Sequence, residues 1–280
     1  MLRLIQLTLT CLLLIAGTVT AQDALTIQPV KDGLYAIFGS GGNVGVRVTP
    51  AGVILIDDKF PQNFDEIQRL VGTVSRLPVK YVINSHHHGD HSGSNPSFID
   101  SAEIIAHRNA RANMIRGNQE GAPEIVYSDE TAVYLGGVEV QVHYYGTGHT
   151  NGDSIIYFPD LKTVHGGDIL HGIAPFIDYA NGGSSRGWVG TVNGILSLDF
   201  DTAIPGHGEI MTRGDVVNFR NQMEAVRERM KMLVRSGASQ SEAVVRIKDA
   251  SLPWTMVENG LFMQRSVSGF YDEISAELQQ

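Results

Sequence analysis

The segment "INSHHHGDHSGSN" (residues 83–95) places four of the chain's ten histidines within six positions, around an aspartate and between glycines. His86, His88, Asp90 and His91 read H-x-H-x-D-H. The preceding "VKYVIN" (79–84) is rich in β-branched and aromatic residues and reads as a buried strand. The glycines and serines that follow cannot comfortably continue a sheet, so the cluster falls on a loop at a strand end. Residues two apart in extended chain point the same way. His86 and His88 can therefore converge on one ion, and a turn at Gly89 lets Asp90 and His91 reach a neighbouring point. Imidazole and carboxylate are both zinc ligands. A polar surface loop or a metal-scavenging tract would need no aspartate at fixed spacing. His87 is expected to face away, in a structural or supporting role.

One loop cannot complete two metal sites, so the remaining histidines matter. "YGTGHTNGDS" (145–154) carries His149 after the strand-like "GVEVQVHYY" (137–145). "TVHGGDILHG" (163–172) carries Asp168 after a short strand and two glycines, and "TAIPGHGEI" (202–210) carries His207 after an apolar run. Each segment repeats one form: strand, glycine, ligand.

The ordered set H-x-H-x-D-H, G-H-T, G-G-D and P-G-H-G resembles the metallo-β-lactamase superfamily. The likeness runs from about Gly33 to about Gly208, and "GVILIDD" (52–58) matches the family's early strand, ending here in Asp57. The resemblance implies an α+β fold, an αββα sandwich of two mixed sheets face to face with helices outside and metals at one edge. It also implies a ligand assignment. His86, His88 and His149 would hold a first zinc, Asp90, His91 and His207 a second, and Asp168 would bridge them as in glyoxalase II-like members. Two Zn2+ sharing a hydroxide would then attack a substrate carbonyl, with Asp90 orienting that hydroxide. Asp57 reads either as a hydrogen-bonded support of a metal loop or as a plain turn acid. His171 stands three residues after Asp168, where many cysteine-containing β-lactamases carry a lysine that receives the drug carboxylate. It is a pocket candidate. His107, His143 and His165 read as structural.

The start, "MLRLIQLTLTCLLLIAGTVTAQ", has one arginine, then an apolar run too short to span a bilayer, and closes on Val19-Thr20-Ala21. Residues 1–21 are therefore expected to be a secretory signal peptide, residues 22–280 a single metallo-β-lactamase-fold domain, and the mature protein periplasmic or secreted, with no membrane attachment. The one cysteine, Cys11, lies in that leader, so the metal site must be built without sulfur. A net charge of −9 and the lack of a basic stripe argue against nucleic acid as partner and leave a small-molecule substrate.

Strands are expected at 34–38, 43–48, 52–57, 79–84, 103–106, 132–135, 138–144, 154–158 and 163–166. Helices are expected at 61–75, from near His107, at 215–237 and in "SQSEAVVRIKD"; residues 117–130 read as irregular. The segment "FIDYANGGSSRGW" (176–188) is expected to form a pocket wall. The first functional reading is an exported dinuclear zinc hydrolase of amide or ester-like carbonyls, with β-lactams the leading substrate. A lactonase or thioesterase of the same fold is the alternative, favoured by the bridging Asp168. A zinc-binding periplasmic protein without turnover is a third class. An iron oxidoreductase of this fold would need a flavin domain for which the chain has no room.

Overall fold

The structure is a computed structural model that describes residues 24–258 and 260–280. The expected signal peptide, residues 1–21, lies outside the described residues. Two mixed β-sheets form the body. The first contains, in chain order, β1 (Thr26–Lys31), β2 (Leu34–Phe38), β3 (Val44–Thr49), β4 (Gly52–Ile56), β5 (Val79–Ile83), β6 (Glu103–His107) and β7 (Ile125–Tyr127). Its strands pair antiparallel as far as β4 and parallel from β4 onward. The second contains β8 (Glu130–Leu135), β9 (Val138–His143), β10 (Ile155–Phe158), β11 (Thr163–His165), β12 (Thr202–Ile204) and β13 (Met211–Thr212), in the order β13-β12-β11-β10-β9-β8. Only β11 and β12 pair parallel in it.

The helices are α1 (Phe64–Val74), α2 (Gly89–Ser92), α3 (Asn95–Phe98), α4 (Arg108–Arg116), α5 (Ser185–Leu196), α6 (Arg213–Arg235), α7 (Gln240–Arg246), α8 (Pro253–Met256) and α9 (Val267–Glu277). A π-helical turn, Phe262–Ser266, leads into α9. Among the described residues no helix is long and apolar enough to cross a membrane.

The alternation of side chains along each strand explains the layers. In β4, Ile54 and Ile56 join Val140, Val142, Ile156 and Phe158 in an apolar core between the two sheets. Val53 and Leu55 of the same strand point the other way and pack with Ile67 and Leu70 of α1. In β10, Ile156 and Phe158 face the first sheet, while Ile155 and Tyr157 face Trp188, Val192 and Phe219 of the helical layer outside. Three cores stacked in this way make an αββα sandwich, as the sequence motifs imply. Strand β4 is buried along its whole length, so it reads as a continuous apolar run rather than an alternating one.

Most expected elements form within two or three residues of their predicted bounds, while β1, β7, β13, α2, α3, α5, α8 and α9 form where no strand or helix was expected. Two of these and one shifted helix start have identifiable reasons. Strand β7 falls inside 117–130, read as irregular, because Ile125 and Val126 lie exposed on a short edge strand and carry no buried alternation. Helix α5 contains Gly187, Gly190 and Gly194, which disfavour helix. It forms because the Ser184 side chain caps Gly187 N–H and because Trp188, Val192 and Ile195 are buried. Helix α6 starts two residues earlier than 215, where Thr212 and Asp215 close a capping box.

Phe158 is fully buried between the sheets. Phe158→Ala should lower unfolding stability by about 3–5 kcal/mol, the range for large-to-small core truncation. Urea denaturation should show a lower midpoint with an unchanged slope.

Candidate metal centre

The chain leaves β4 through three buried residues, Asp57, Asp58 and Lys59, and the first and last have positive φ. This unusual backbone turns their side chains inward as ties between loops. The Asp57 carboxylate accepts the Ser85 backbone N–H at 2.6 Å, the Ser85 hydroxyl at 2.7 Å and His91 Nδ1–H at 2.8 Å. The Asp58 carboxylate accepts Ser94 N–H at 3.0 Å, and Lys59 Nζ donates to Gly42 O at 2.6 Å. Burial lowers the Lys59 ammonium to about 8. Together these contacts fix the loop after β5, which carries His86 and His88 and runs into α2 with Asp90 and His91.

Three ring nitrogens meet at one point. His88 Nδ1 lies 3.0 Å from His86 Nε2 and 2.9 Å from His149 Nε2, and the last two are 3.2 Å apart. The opposite ring nitrogens decide what these contacts are. His149 Nδ1 donates to Phe176 O at 2.5 Å, and His88 Nε2 donates to Asp178 Oδ2 at 2.9 Å. The Ser85 hydroxyl is committed to Asp57, so at 3.0 Å it accepts from His86 Nδ1. Each neutral imidazole has one N–H. In their neutral forms all three carry that proton outward, and three bare lone pairs face one another. Such an arrangement is repulsive without a cation at its centre. It is also the usual second contact of a metal-bound histidine, which fixes its tautomer.

A second set lies beside the first. His91, with Nδ1–H held by Asp57, presents Nε2 at 3.2 Å from Asp168 Oδ1, 3.3 Å from His207 Nε2 and 3.6 Å from Asp90 Oδ2. His207 Nε2 lies 3.3 Å from Asp90 Oδ2 and 3.4 Å from Asp168 Oδ1. The other Asp168 oxygen, Oδ2, lies 3.6 Å from His149 Nε2 in the first set. Asp168 therefore turns one oxygen to each group. Its Oδ1 is buried and has no hydrogen-bond donor while His91 and His207 are neutral, so it calls for a proton on those rings or for a metal. His86, His88, His149 and Asp168 offer donor atoms within 4.8 Å of one another, as do Asp90, His91 and His207.

Charge behaviour divides the two sets. Burial drives His149 down to about 3 and holds His86 well below the usual imidazole range, so both are neutral. Burial opposes ionisation of Asp90 and Asp168, but neighbouring His91 and His207 outweigh it. Asp90 falls to about 2, and Asp168 drops well below the carboxylate range. Burial likewise opposes protonation of His207, yet Asp168 and Asp90 lift it to about 9. The carboxylates at this second point demand positive charge, from protons or from a metal. The backbone closes tightly behind both ligands: a Cβ on Gly42 would meet the His91 ring at 2.2 Å, and one on Gly206 would meet Asp168 Oδ1 at 2.1 Å. The residues present thus fit divalent cations bound by nitrogen and oxygen.

The centre opens into a cleft of about 560 Å³. Phe60, Ile173, Phe176 and Leu261 give it an apolar wall. Asp90, Asp168, His171 and His207 lie at its base. His171 stacks on His207 with ring centroids 4.7 Å apart. Its Nδ1 accepts the backbone N–H of Ile173 and Ala174 at 3.4 and 3.3 Å, and burial lowers it to about 4. It is a neutral imidazole with its proton on Nε2, a hydrogen-bond donor rather than a lone pair for metal.

The structure brings together all seven residues named from the motifs. Asp57 is a tie between loops rather than a plain turn acid. His107 stacks on Tyr144 at 3.9 Å and bonds Ser128 O, and His165 bonds the Asn43 carbonyl at 3.1 Å, so both have structural roles. His87 is buried and directs Nδ1 toward Asn113. The segment 176–188 supplies Phe176 to the wall, but its end is helix α5. Motif reading missed Ser85, Phe176 and Asp178 as partners of the histidines, and Leu261 and Arg265 at the cleft. Only Ser85, next to His86, had a local signal.

The profile of the metallo-beta-lactamase superfamily matches residues 39–207. A 2,4-dinitroanisole O-demethylase subunit alpha from Nocardioides sp. is 25% identical over 192 residues, 66% of this chain and 58% of that protein's length. The chain thus spans less than two thirds of that relative. Metallo-beta-lactamase IND-1 from Chryseobacterium indologenes is 28% identical over 212 residues, 70% of this chain and 87% of its own length. Among solved structures, a metallo-beta-lactamase from Pontibacter korlensis shares the fold. Its TM-score is 0.65 at 17% identity, covering 71% of this chain and 99% of that one.

His207 has an ordinary pKa of 6.5 and rises to about 9 in the folded metal-free protein. A raised folded pKa stabilises fully below the unfolded value, and the contribution fades as pH climbs through the folded one. His91 shifts in the same direction. Metal-free protein should therefore lose stability between pH 6.5 and 9. Zinc needs deprotonated imidazole, so its affinity should rise over the same interval. Denaturant melts of chelator-treated and zinc-loaded protein at both ends of the interval check this. Metal-free protein more stable at the upper end would contradict it.

Proposed function

The chain belongs to the metallo-β-lactamase superfamily, and on that premise we propose that it is an exported dinuclear zinc hydrolase that opens an amide or ester-like carbonyl, with β-lactams the leading substrate. The observation that carries this reading is the division of the two Asp168 oxygens between two convergent donor sets. In it, His86, His88 and His149 would hold the first zinc and Asp90, His91 and His207 the second, with Asp168 offering one oxygen to each. Zinc so bound supplies a water acidic enough to react near neutral pH and a Lewis acid for the substrate carbonyl.

The chain's own residues do the rest. Ser85, Asp178, the Phe176 carbonyl and Asp57 hold four imidazoles by their far nitrogens, so the donor atoms are aimed before any ligand arrives. Asp90 reaches the cleft floor as a carboxylate and orients the attacking water. His171 offers a neutral N–H to a substrate oxygen. Phe60, Ile173, Phe176 and Leu261 receive the apolar body of the substrate and keep bulk water off the reacting carbonyl.

A lactonase or thioesterase is the second reading. It is favoured by the carboxylate at Asp168 together with a sequence whose one cysteine is Cys11. The relative that is a 2,4-dinitroanisole O-demethylase subunit adds an aryl ether to the substrates worth testing.

Elemental analysis of the dialysed protein should give close to two zincs per chain. The zinc-loaded protein is then screened on a chromogenic cephalosporin, aryl esters, homoserine lactones, glutathione thioesters and 2,4-dinitroanisole. Cephalosporin turnover supports the first reading. Turnover confined to lactones or thioesters moves the assignment to the second, and tight zinc binding with no turnover rejects the hydrolase. Asp168→Ala should lose much of one metal equivalent and about a hundredfold in turnover.

Export is proposed from the Arg3-then-apolar start and the Val-Thr-Ala end of residues 1–21. Intact-mass analysis of the periplasmic fraction should give a chain beginning at or near Gln22. Met1 retained on cytoplasmic protein would reject the leader.

A further inference from the structure

The loop that carries Phe176 and Asp178 is held from one helix face far outside the family match, which ends at residue 207. Ser266, Gly269 and Glu273 are spaced three and four apart along α9 and the turn that leads into it, so they share a face. All three meet the same loop. The buried Ser266 hydroxyl accepts the Ile177 backbone N–H at 2.9 Å. Gly269 leaves room for the Tyr179 ring, which a Cβ there would meet at 2.5 Å. The Glu273 carboxylate accepts the Tyr179 hydroxyl at 3.0 Å, the Ser184 hydroxyl at 2.6 Å, the Ser185 backbone N–H at 3.0 Å and the Ser185 hydroxyl.

Helix α5 begins at Ser185 and has no acidic residue in its own first turn. The first N–H groups of a helix lack partners and carry partial positive charge, so a carboxylate is favourable there. Glu273 supplies it from another helix, with its side chain 20% exposed. The next acid on that face, Glu277, pairs instead with Arg227 and Lys231 of α6.

The other side of the loop lies on the His149 turn. Asp178 N–H donates to His149 O at 2.9 Å, and Ser184 N–H donates to Gly148 O at 2.9 Å. Gly183 is too close to His149 O for any Cβ. From this loop Asp178 grips His88 Nε2, and the Phe176 carbonyl grips His149 Nδ1. The loop is thus clamped between α9 and two rings of the first donor set.

We propose that Glu273 is a positioning residue for the metal centre: through the loop 176–185 it fixes the His88 and His149 rings at the spacing that a metal needs. It is not among the residues that line the cleft. Its removal should therefore loosen metal and lower kcat while leaving KM nearly unchanged. The inference rests on the proposed hydrolase only for this kinetic arm.

The test compares wild type with Glu273→Ala, Glu273→Gln, Tyr179→Phe and Glu277→Gln. Zinc affinity is measured by competition with a chromophoric chelator, and ligand geometry by the visible absorption of the cobalt-substituted protein. Glu273→Ala should bind at least one zinc equivalent about tenfold more weakly, the lower end of the effect of removing a ligand's hydrogen-bond partner, and should shift the cobalt bands. Glu273→Gln keeps the length and one acceptor oxygen, so it should recover part of both. Should Glu273→Ala not fold, Tyr179→Phe removes a single donor to Glu273 and should move the same readouts in the same direction by a few-fold. Glu277→Gln is the control for stability lost from α9 alone and should leave zinc affinity and cobalt bands as in wild type. Unchanged metal binding in the Glu273 and Tyr179 variants overturns the inference while the hydrolase stands. So does an equal loss in Glu277→Gln. Metal binding that depends on Glu273, in a protein that turns over no substrate, leaves the positioning role and rejects the hydrolase. A wild type that binds no zinc overturns both.

Discussion

Three imidazole lone pairs held within about 3 Å of one another are an electrostatic liability, and most of the structure around them exists to keep them there. Left free, each ring would rotate or take a proton. Neither is easy here. Burial penalises the charged form of His86 and His149. Each ring is also gripped by its far nitrogen: His86 by Ser85, His88 by Asp178, His149 by the Phe176 carbonyl. Preorganisation of this kind transfers cost from the moment of metal binding to the folding of the chain.

The frame that bears that cost is the sandwich. Strands β4 and β5 run parallel, so the chain leaves both at the same edge of the first sheet. Strands β11 and β12 run parallel in the second sheet, and Asp168 and His207 follow their ends. Asp57 joins two of these exits. Its one carboxylate spans the loop after β5 and the ring of His91 in α2. A buried acid that accepts three hydrogen bonds is well satisfied, which explains how the chain tolerates a positive φ at a non-glycine residue there.

The C-terminal helices are part of the site rather than packing alone. Glu273 of α9 accepts hydrogen bonds from Tyr179, Ser184 and Ser185, at the end of the loop that carries Phe176 and Asp178. Ser266 holds Ile177 in the same loop. The orientation of His88 and His149 therefore depends, through this loop, on residues about ninety positions beyond the loop itself. The second donor set has a different character. It draws on carboxylates and on His207, and in the metal-free protein its charge balance is met by protons. Metal and proton compete there, whereas burial already keeps the proton off His86 and His149.

The sequence by itself determined the donor set. H-x-H-x-D-H at a strand end, and three strand-glycine-ligand turns after it, name His86, His88, Asp90, His91, His149, Asp168 and His207, because short-range spacing fixes which side chains leave a strand end together. The buried strands were legible for the same reason: continuous or alternating apolar runs record burial locally. Edge strand β7 and glycine-containing α5 were not, since one buries too little and the other is stabilised by packing rather than propensity. What only the tertiary structure decided is how the donors are held and what faces them. Asp178 meets His88 across 90 positions, and the Phe176 carbonyl meets His149 across 27. A backbone carbonyl has no sequence signature at all. Arg265 looks in the sequence like any surface arginine. It becomes a group at the cleft only because a π-turn, pinned through Ser266, sets it over Phe176.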